Sequence, residues 1–189
     1  YIILYFIFPK PYNTNLLVGN NSCGKTRTLV KFDLPALPGD NYLITNATVV
    51  YHQYEIDAGD FSTQYMSIHK ITQEWDNANY DVTWNNQPKF EEDVVLDYAK
   101  FEDTNAYSYQ FDVTRTVKEW YEGEENNGFL LKLKNENASK RAALVSAEHP
   151  VNDYYPEIYV TFLDNKGLES YWSYSSYSIG SAGNAYIND

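Results

Sequence analysis

Apolar and polar residues alternate with a period of two along most of this chain, in short runs separated by Gly, Pro and Asn. Tyr12 to Val18 leads into the segment Gly19–Gly24. In the run that leaves it, Thr28, Val30 and Phe32 fall on one side and Arg27, Leu29 and Lys31 on the other, up to Pro35. That is the signature of a half-buried strand. Pro35, Pro38 and Gly39 make a loop before Thr45–Tyr54, where Ala47, Val49 and Tyr51 oppose Thr48, Val50 and His52. Tyr65–Ile71 and Phe101–Phe111 follow, the latter with Tyr107, Tyr109 and Phe111 in step. Phe129–Lys134 turns Phe129, Leu131 and Leu133 inward and both Lys132 and Lys134 outward, and Ala142–Ser146 and Glu157–Phe162 close the series. Short strands at this spacing predict an all-β, antiparallel sandwich.

One segment has a different period. Val113, Val117, Trp120 and Tyr121 recur at i, i+4, i+7 and i+8, with Asp112 or Thr114 available as a start signal and Gly123 as a stop. The spacing predicts one short helix that lids an end of the sandwich. Beyond Asp164 the composition turns to Ser, Tyr and Gly, as in Tyr171-Trp172-Ser173-Tyr174-Ser175-Ser176-Tyr177. We read residues 1–163 as the sandwich and 164–189 as a connector tail, made adhesive by its aromatics and expected to dock on something. Tyr1–Phe8 is wholly apolar or aromatic yet far short of the ~20 residues a membrane span needs. It reads as a strand, buried on both faces or donated to a neighbouring copy, which would make the chain a homo-oligomer or filament subunit.

The segment Gly19-Asn20-Asn21-Ser22-Cys23-Gly24-Lys25-Thr26 spells a phosphate-binding loop. That spelling cradles phosphate only when a helix follows, because the helix N-terminus supplies the converging N–H groups. Here a period-two run follows, so no nucleotide is expected and the glycines serve a turn between strands.

Composition narrows the function further. The net charge is −12, and residues 55–125 carry 17 acidic against five basic side chains, which argues against nucleic acid as a partner. The first 54 residues are mildly basic, with four against two. Cys23 is alone, and His52, His69 and His149 are far apart without ligand spacing, so no metal site is expected. The acidic run around Asp57–Asp60 offers oxygens to calcium, but no twelve-residue calcium loop is present and no cofactor is expected. Adjacent acids such as Glu91, Glu92 and Asp93 read as a solvated loop rather than as the spaced carboxyl pair of a glycosidase, so the chain is not expected to be an enzyme.

Several segments, in order, resemble one family. They are Asn15-Leu16-Leu17-Val18-Gly19, Lys25-Thr26-Arg27-Thr28-Leu29-Val30-Lys31-Phe32-Asp33-Leu34-Pro35, Glu74-Trp75 and Val82-Thr83-Trp84-Asn85-Asn86-Gln87-Pro88. Phe111-Asp112-Val113-Thr114, Val117-Lys118-Glu119-Trp120-Tyr121, Asn127-Gly128-Phe129-Leu130-Leu131-Lys132 and Tyr155-Pro156-Glu157-Ile158-Tyr159-Val160-Thr161-Phe162 continue the series. Together they resemble the DNRLRE-type domain of secreted bacterial proteins, which implies a jelly-roll-like antiparallel β-sandwich at the bacterial cell surface. Gly167-Leu168-Glu169-Ser170-Tyr171-Trp172 and Gly180–Asp189 resemble the connector that joins such domains to Rhs/YD-repeat, wall-associated proteins. The resemblance implies a non-catalytic adhesion or scaffold module of a surface or toxin-delivery protein, with downstream modules of the same polypeptide as partners.

Some domains of this pattern bind acidic polysaccharide such as alginate through basic side chains on an exposed strand face. Carried onto the matching positions, this implies Lys25, Arg27 and Lys31 as a glycan-binding row, their charges spaced about 6.5–7 Å apart along one strand face. Lys132 and Lys134 form a second such pair. The alternative reading of all five is a charged solvent face that deters edge pairing.

Overall fold

A computed structural model describes residues 15–34, 36–37, 42–56, 64–75, 82–102, 108–147, 149, 154–164, 171–177 and 184–188. Tyr1–Phe8, Asp57–Asp60 and Tyr107 lie outside the described residues.

Strands β1 (Asn15–Asn21) and β2 (Gly24–Val30) form a hairpin with Asn21 opposite Gly24 and Gly19 opposite Thr26. The Asn21 side chain accepts the Cys23 N–H at 2.9 Å inside the turn, and Gly24 takes φ +110°, a conformation that favours glycine. Lys25 and Thr26 therefore continue as strand, and the phosphate-loop spelling is a bend between two strands.

The fold turns on β3 (Tyr42–Ile56), fifteen residues long. Its Tyr42–Val50 portion pairs with β9 (Glu157–Asp164), and Thr48–His52 pairs on the other side with β6 (Ser108–Asp112). Past a bulge between Gln53 and Glu55 the same strand pairs with β8 (Arg141–Val145). A bulge bends a strand and increases its twist, which lets one strand serve two layers. The crossing point is pinned by the buried Gln53 side chain, which accepts the Tyr109 hydroxyl proton, while that hydroxyl accepts the Glu102 N–H at 3.3 Å.

The eleven strands of the described residues form one curled antiparallel sheet. One layer holds β10 (Tyr171–Tyr177), β9, the first part of β3, and β6. The other runs from the end of β3 through β8, β1 and β2 to β7 (Phe129–Leu133), β4 (Tyr65–Lys70) and β5 (Asp97–Lys100). Strand β11 (Asn184–Asn188) pairs with β2 over Thr26–Val30. Between the layers lie Leu16, Val49, Tyr51, Ile68, Phe111, Phe129, Leu131, Ile158 and Phe162, all nearly or fully buried. Each large side chain withdrawn from water in this way contributes about 1.5–3 kcal/mol.

Helix α1 (Thr114–Tyr121) lies where the 3.6-residue period predicts it. The Asp112 carboxylate accepts the Thr114 N–H at 2.9 Å, and Gly123, at φ +110°, follows the last turn. Val117 and Trp120 enter the core, with Trp120 4.9 Å from the Phe129 ring. Lys70 ties the helix to β4 through Glu119 at 2.7 Å and Glu124 at 2.5 Å.

Three strands escaped the sequence reading. Asp97-Tyr98-Ala99-Lys100 is a four-residue edge strand with two exposed side chains, too short to show a period. The tail, despite its linker composition, contributes β10 and β11 by backbone pairing to β9 and β2. Serine-rich segments have backbone donors and acceptors like any other, and pairing needs only those.

Gly128 opens β7 at φ +79°, and a Cβ there would stand 2.3 Å from the Val30 carbonyl oxygen. Gly128→Ala is therefore expected to destabilise the domain by about 3 kcal/mol, combining left-handed strain with backbone overlap. Urea unfolding of the variant measures the loss, and an unchanged midpoint would refute this account of the β2–β7 approach.

Candidate functional site

Arg27 is the only described member of its strand that points a charge into an enclosed space on the outer side of β2. Its Nε and Nη2 donate to the two oxygens of Glu136 at 2.7 and 2.8 Å, and Nη1 donates to Gln87 Oε1 at 2.9 Å. The guanidinium also stacks over Trp84, 4.4 Å from the ring centre, and lies 5.4 Å from that of Phe90. A planar fork with five donors is suited to this bidentate and stacked environment, whereas a lysine ammonium is not. The side chain is 9 % exposed.

The residues around it come from the long connection between β4 and β5, which folds back as a roof. Thr72 N–H donates to the Lys89 carbonyl, Ile71 bridges to Phe90, and Glu91 N–H returns to the Lys70 carbonyl at 2.9 Å. A short 3₁₀ turn, Trp84–Asn86, is capped by the Thr83 hydroxyl and presents Trp84. Gln87 donates to the Trp84 carbonyl at 2.9 Å while accepting from Arg27. Trp75 donates to the Asn127 carbonyl at 2.7 Å. Under this roof Leu29, Ile71, Val82 and Leu130 form a second, smaller apolar cluster.

His69 sits in the same enclosure, edge-on to Phe90 with ring centres 5.5 Å apart. Because a carbonyl only accepts, the proton sits on Nδ1 and is donated to the Glu91 carbonyl at 2.8 Å, leaving Nε2 to accept from Ser67 at 2.9 Å. Burial lowers the His69 pKa, and the nearby charges of Lys132 and Arg27 lower it further against the opposing pull of the Glu91 and Val94 carbonyls. For Glu136, burial alone would raise the carboxyl. The Arg27 hydrogen bonds and charge, with the help of Lys132, hold it below its ordinary value instead.

Beyond the roof the outer face opens to solvent. Lys134, just past β7, donates its backbone N–H to the Tyr65 carbonyl at 2.8 Å, and its ammonium lies 4.7 Å from the Tyr98 ring centre and 5.7 Å from that of Tyr65. Tyr65 and Tyr98 are 38 % and 44 % exposed. Lys100 stands opposite Tyr65 on β5. Two tyrosine rings and two lysines thus share one flat, accessible stretch of sheet.

The five basic residues read from the sequence divide accordingly. The parity of Lys25, Arg27 and Lys31 holds in the backbone, but the roof interrupts the row. Arg27 is covered by Trp84, and Leu29 is buried beside it. Lys25 and Lys31 are left half-buried at opposite ends, about 20 Å apart at strand rise. Among the described residues neither side chain forms a hydrogen bond or ion pair. Lys132, 13 % exposed, joins Arg27 at the shared Glu136 carboxylate at 3.5 Å. Extending the pairing of Thr28 with Leu131 accounts for this, and carries Lys25 toward the Lys134 end of the face. Sequence reasoning placed Tyr65 on a strand without giving it a role, missed Tyr98 and Lys100 because it missed β5, and missed Glu136 because a loop glutamate carries no period. Glu92 and Asp93 are exposed on their loop.

The described residues form an all-β scaffold with an aromatic, lysine-flanked sheet face. The profile of carbohydrate-binding module family 96 matches residues 12–161, and the chain belongs to that family. No curated protein matches the chain. Val82–Pro88 and β2 fall inside the matched region, and their Trp84, Gln87 and Arg27 build the brace rather than the open face.

Removing one member of a buried ion pair leaves the other charge uncompensated. Glu136→Ala is accordingly expected to destabilise the domain by about 3 kcal/mol, and Glu136→Gln by less, in chemical denaturation. Equal stability of Glu136→Ala and the parent would refute the brace. His69 gives a pH dependence whose sign is fixed. Its folded pKa is depressed, so its contribution is present above the unfolded value of about 6.5 and is lost as pH falls through the lower folded value. The melting temperature should decline as pH drops from about 6.5 toward 5, with His52, lowered by its own burial, adding to the slope. His69→Asn keeps a donor and an acceptor and should flatten the decline. An unaltered slope in that variant would exclude His69 as a source.

Proposed function

We propose that this carbohydrate-binding module is non-catalytic and grips an acidic polysaccharide on the open outer face of β4, β5 and β7. The observation that carries the reading is the Lys134 ammonium poised between the exposed Tyr65 and Tyr98 rings, with Lys100 across the strand. A sugar ring lays its C–H face on a tyrosine while the ring's carboxylate pairs with a neighbouring lysine. Lys134 and Lys100 flank Tyr65 on either side, about 10 Å apart at the spacing of adjacent strands. Arg27 is a pillar under this face, and Lys132 contributes positive potential from its partly covered position. Lys25 extends the charge at the same end.

Such a module fits an extracellular, bacterial surface setting, where it would hold a larger polypeptide against a polysaccharide. Adhesion within a repeat-shell or toxin-delivery protein is a wider role of the same binding, supported here only by the resemblance of the tail.

Calorimetric titration with a uronate hexasaccharide tests the reading. Binding is expected in the micromolar-to-millimolar range. It should weaken about tenfold in Lys134→Ala and in Tyr98→Ala, and fall further as salt rises from low ionic strength to about 0.5 M. Heat release that is absent, or that persists unchanged in Lys134→Ala and Tyr98→Ala, would overturn it.

A further inference from the structure

The opposite layer carries a second arrangement that the lysine face does not use. On its outer side, alternate positions of β6, β3 and β9 line a shallow groove of about 420 Å³, within the size range of small-ligand sites. Val50 forms an apolar floor, Ser108 and Gln110 stand on one side, and Glu157 and Tyr159 on the other. Among the described residues that line it there is no lysine or arginine.

His52 fixes the chemistry. Its Nδ1 is 2.8 Å from Ser108 Oγ, and its Nε2 is 3.9 Å from Glu157 Oε2. The carboxylate beside Nε2 holds the imidazole proton there, so Nδ1 accepts from the Ser108 hydroxyl. Burial depresses the His52 pKa, with Glu157 opposing it only in part, which keeps the ring uncharged near neutrality. Glu157 takes one further hydrogen bond, from the Tyr159 hydroxyl at 2.7 Å. The Nε2–H donor and the Glu157 acceptor therefore face each other across a gap too wide for a direct hydrogen bond and wide enough for one oxygen atom to touch both.

A group seated there must accept from Nε2 and donate to Glu157 at once. A carboxylate has no proton to give, and an ammonium has no lone pair to accept with; a hydroxyl does both. Tyr154 packs edge-on against His52 at 5.4 Å, and both it and Tyr159 are exposed, at 48 % and 36 %, offering ring surface at the groove's edge. Glu157 without a cationic partner repels uronates. We propose that this groove is a second glycan site, selective for an uncharged, hydroxyl-rich sugar whose hydroxyl bridges His52 and Glu157. The module would then hold acidic and neutral polysaccharide on opposite faces.

Amide chemical-shift mapping of the whole domain at pH 7, with cellohexaose and mannohexaose as neutral probes and a uronate hexasaccharide as contrast, tests this. A neutral probe should move the amides of His52, Ser108, Gln110 and Glu157, and the response should survive about 0.5 M salt. His52→Phe and Glu157→Leu should each weaken it about tenfold, the loss of one or two hydrogen bonds to a charged or polar partner. Both variants should leave the uronate response at Tyr65 and Tyr98 as in the parent, which reports an intact fold and a separate face. The proposal is overturned if both neutral probes leave the groove unmoved, if they move only the lysine face, or if the uronate moves the groove as strongly. Failure of the acidic-polysaccharide reading shows independently, as a silent Tyr65–Tyr98 face.

Discussion

A guanidinium withdrawn from water on the outside of a sheet is the constraint around which this domain is organised. Arg27 lies on β2, which pairs with β1, β7 and β11, so its side chain is fixed to the middle of a layer. An unpaired charge there would be expensive, and the desolvation of Arg27 and Glu136 together offsets much of their mutual attraction. What the pair confers is position. The fork of Arg27 engages both oxygens of Glu136 and the amide of Gln87 while Trp84 covers its face; Gln87 and Trp84 come from the β4–β5 connection and Glu136 from the β7–β8 connection. Slipping β2 by one residue would turn Arg27 into the core and Thr28 outward, an error no neighbouring strand tolerates.

That rigidity bears on the binding face directly. A flat sheet surface has no cavity to enclose a ligand, so affinity depends on how little freedom its side chains lose on binding. Lys134 already lies over the Tyr98 and Tyr65 rings, and Lys132 is held by Glu136 beneath. Both ammonium groups are already placed, Lys134 by two rings and Lys132 by a carboxylate, which lowers the ordering cost of binding there. The roof over Arg27 anchors the strands that carry these lysines without itself touching the open surface.

Period-two alternation made the strands from Tyr12 to Phe162 readable, because each presents one side to a common core and one outward. The same logic placed α1, whose Val117 and Trp120 repeat at helical spacing. Alternation says nothing about what lies above the outward side. Arg27 and Lys132 therefore looked like solvent cations, although a connection that carries Trp84 and Phe90 covers the first and Glu136 restrains the second. Tyr98 and Lys100 were illegible for a different reason: β5 is four residues long and buries none of its side chains fully, so it leaves no apolar period to read. Gln87, Trp84 and Glu136 lie in loops, where spacing carries no geometric information and only the folded contacts assign a role.

The net charge of −12 is compatible with the acidic ligand proposed above because charge acts locally. Glu119, Glu122, Glu124 and Glu125 gather around α1 and the Lys70 end of β4. Tyr65 and its flanking lysines occupy the other end of the same strand, five residues or roughly 17 Å away at strand rise. Counter-ions at 0.1 M screen exposed charges beyond about 10 Å, so an anion docked beside Lys134 and Lys100 feels the lysines more than the distant carboxylates. The distant acids would still repel a long polyanion that strayed along the sheet and so favour the lysine end. On the opposite layer, no lysine or arginine among the described residues pairs with Glu157, so that layer would extend the same discrimination.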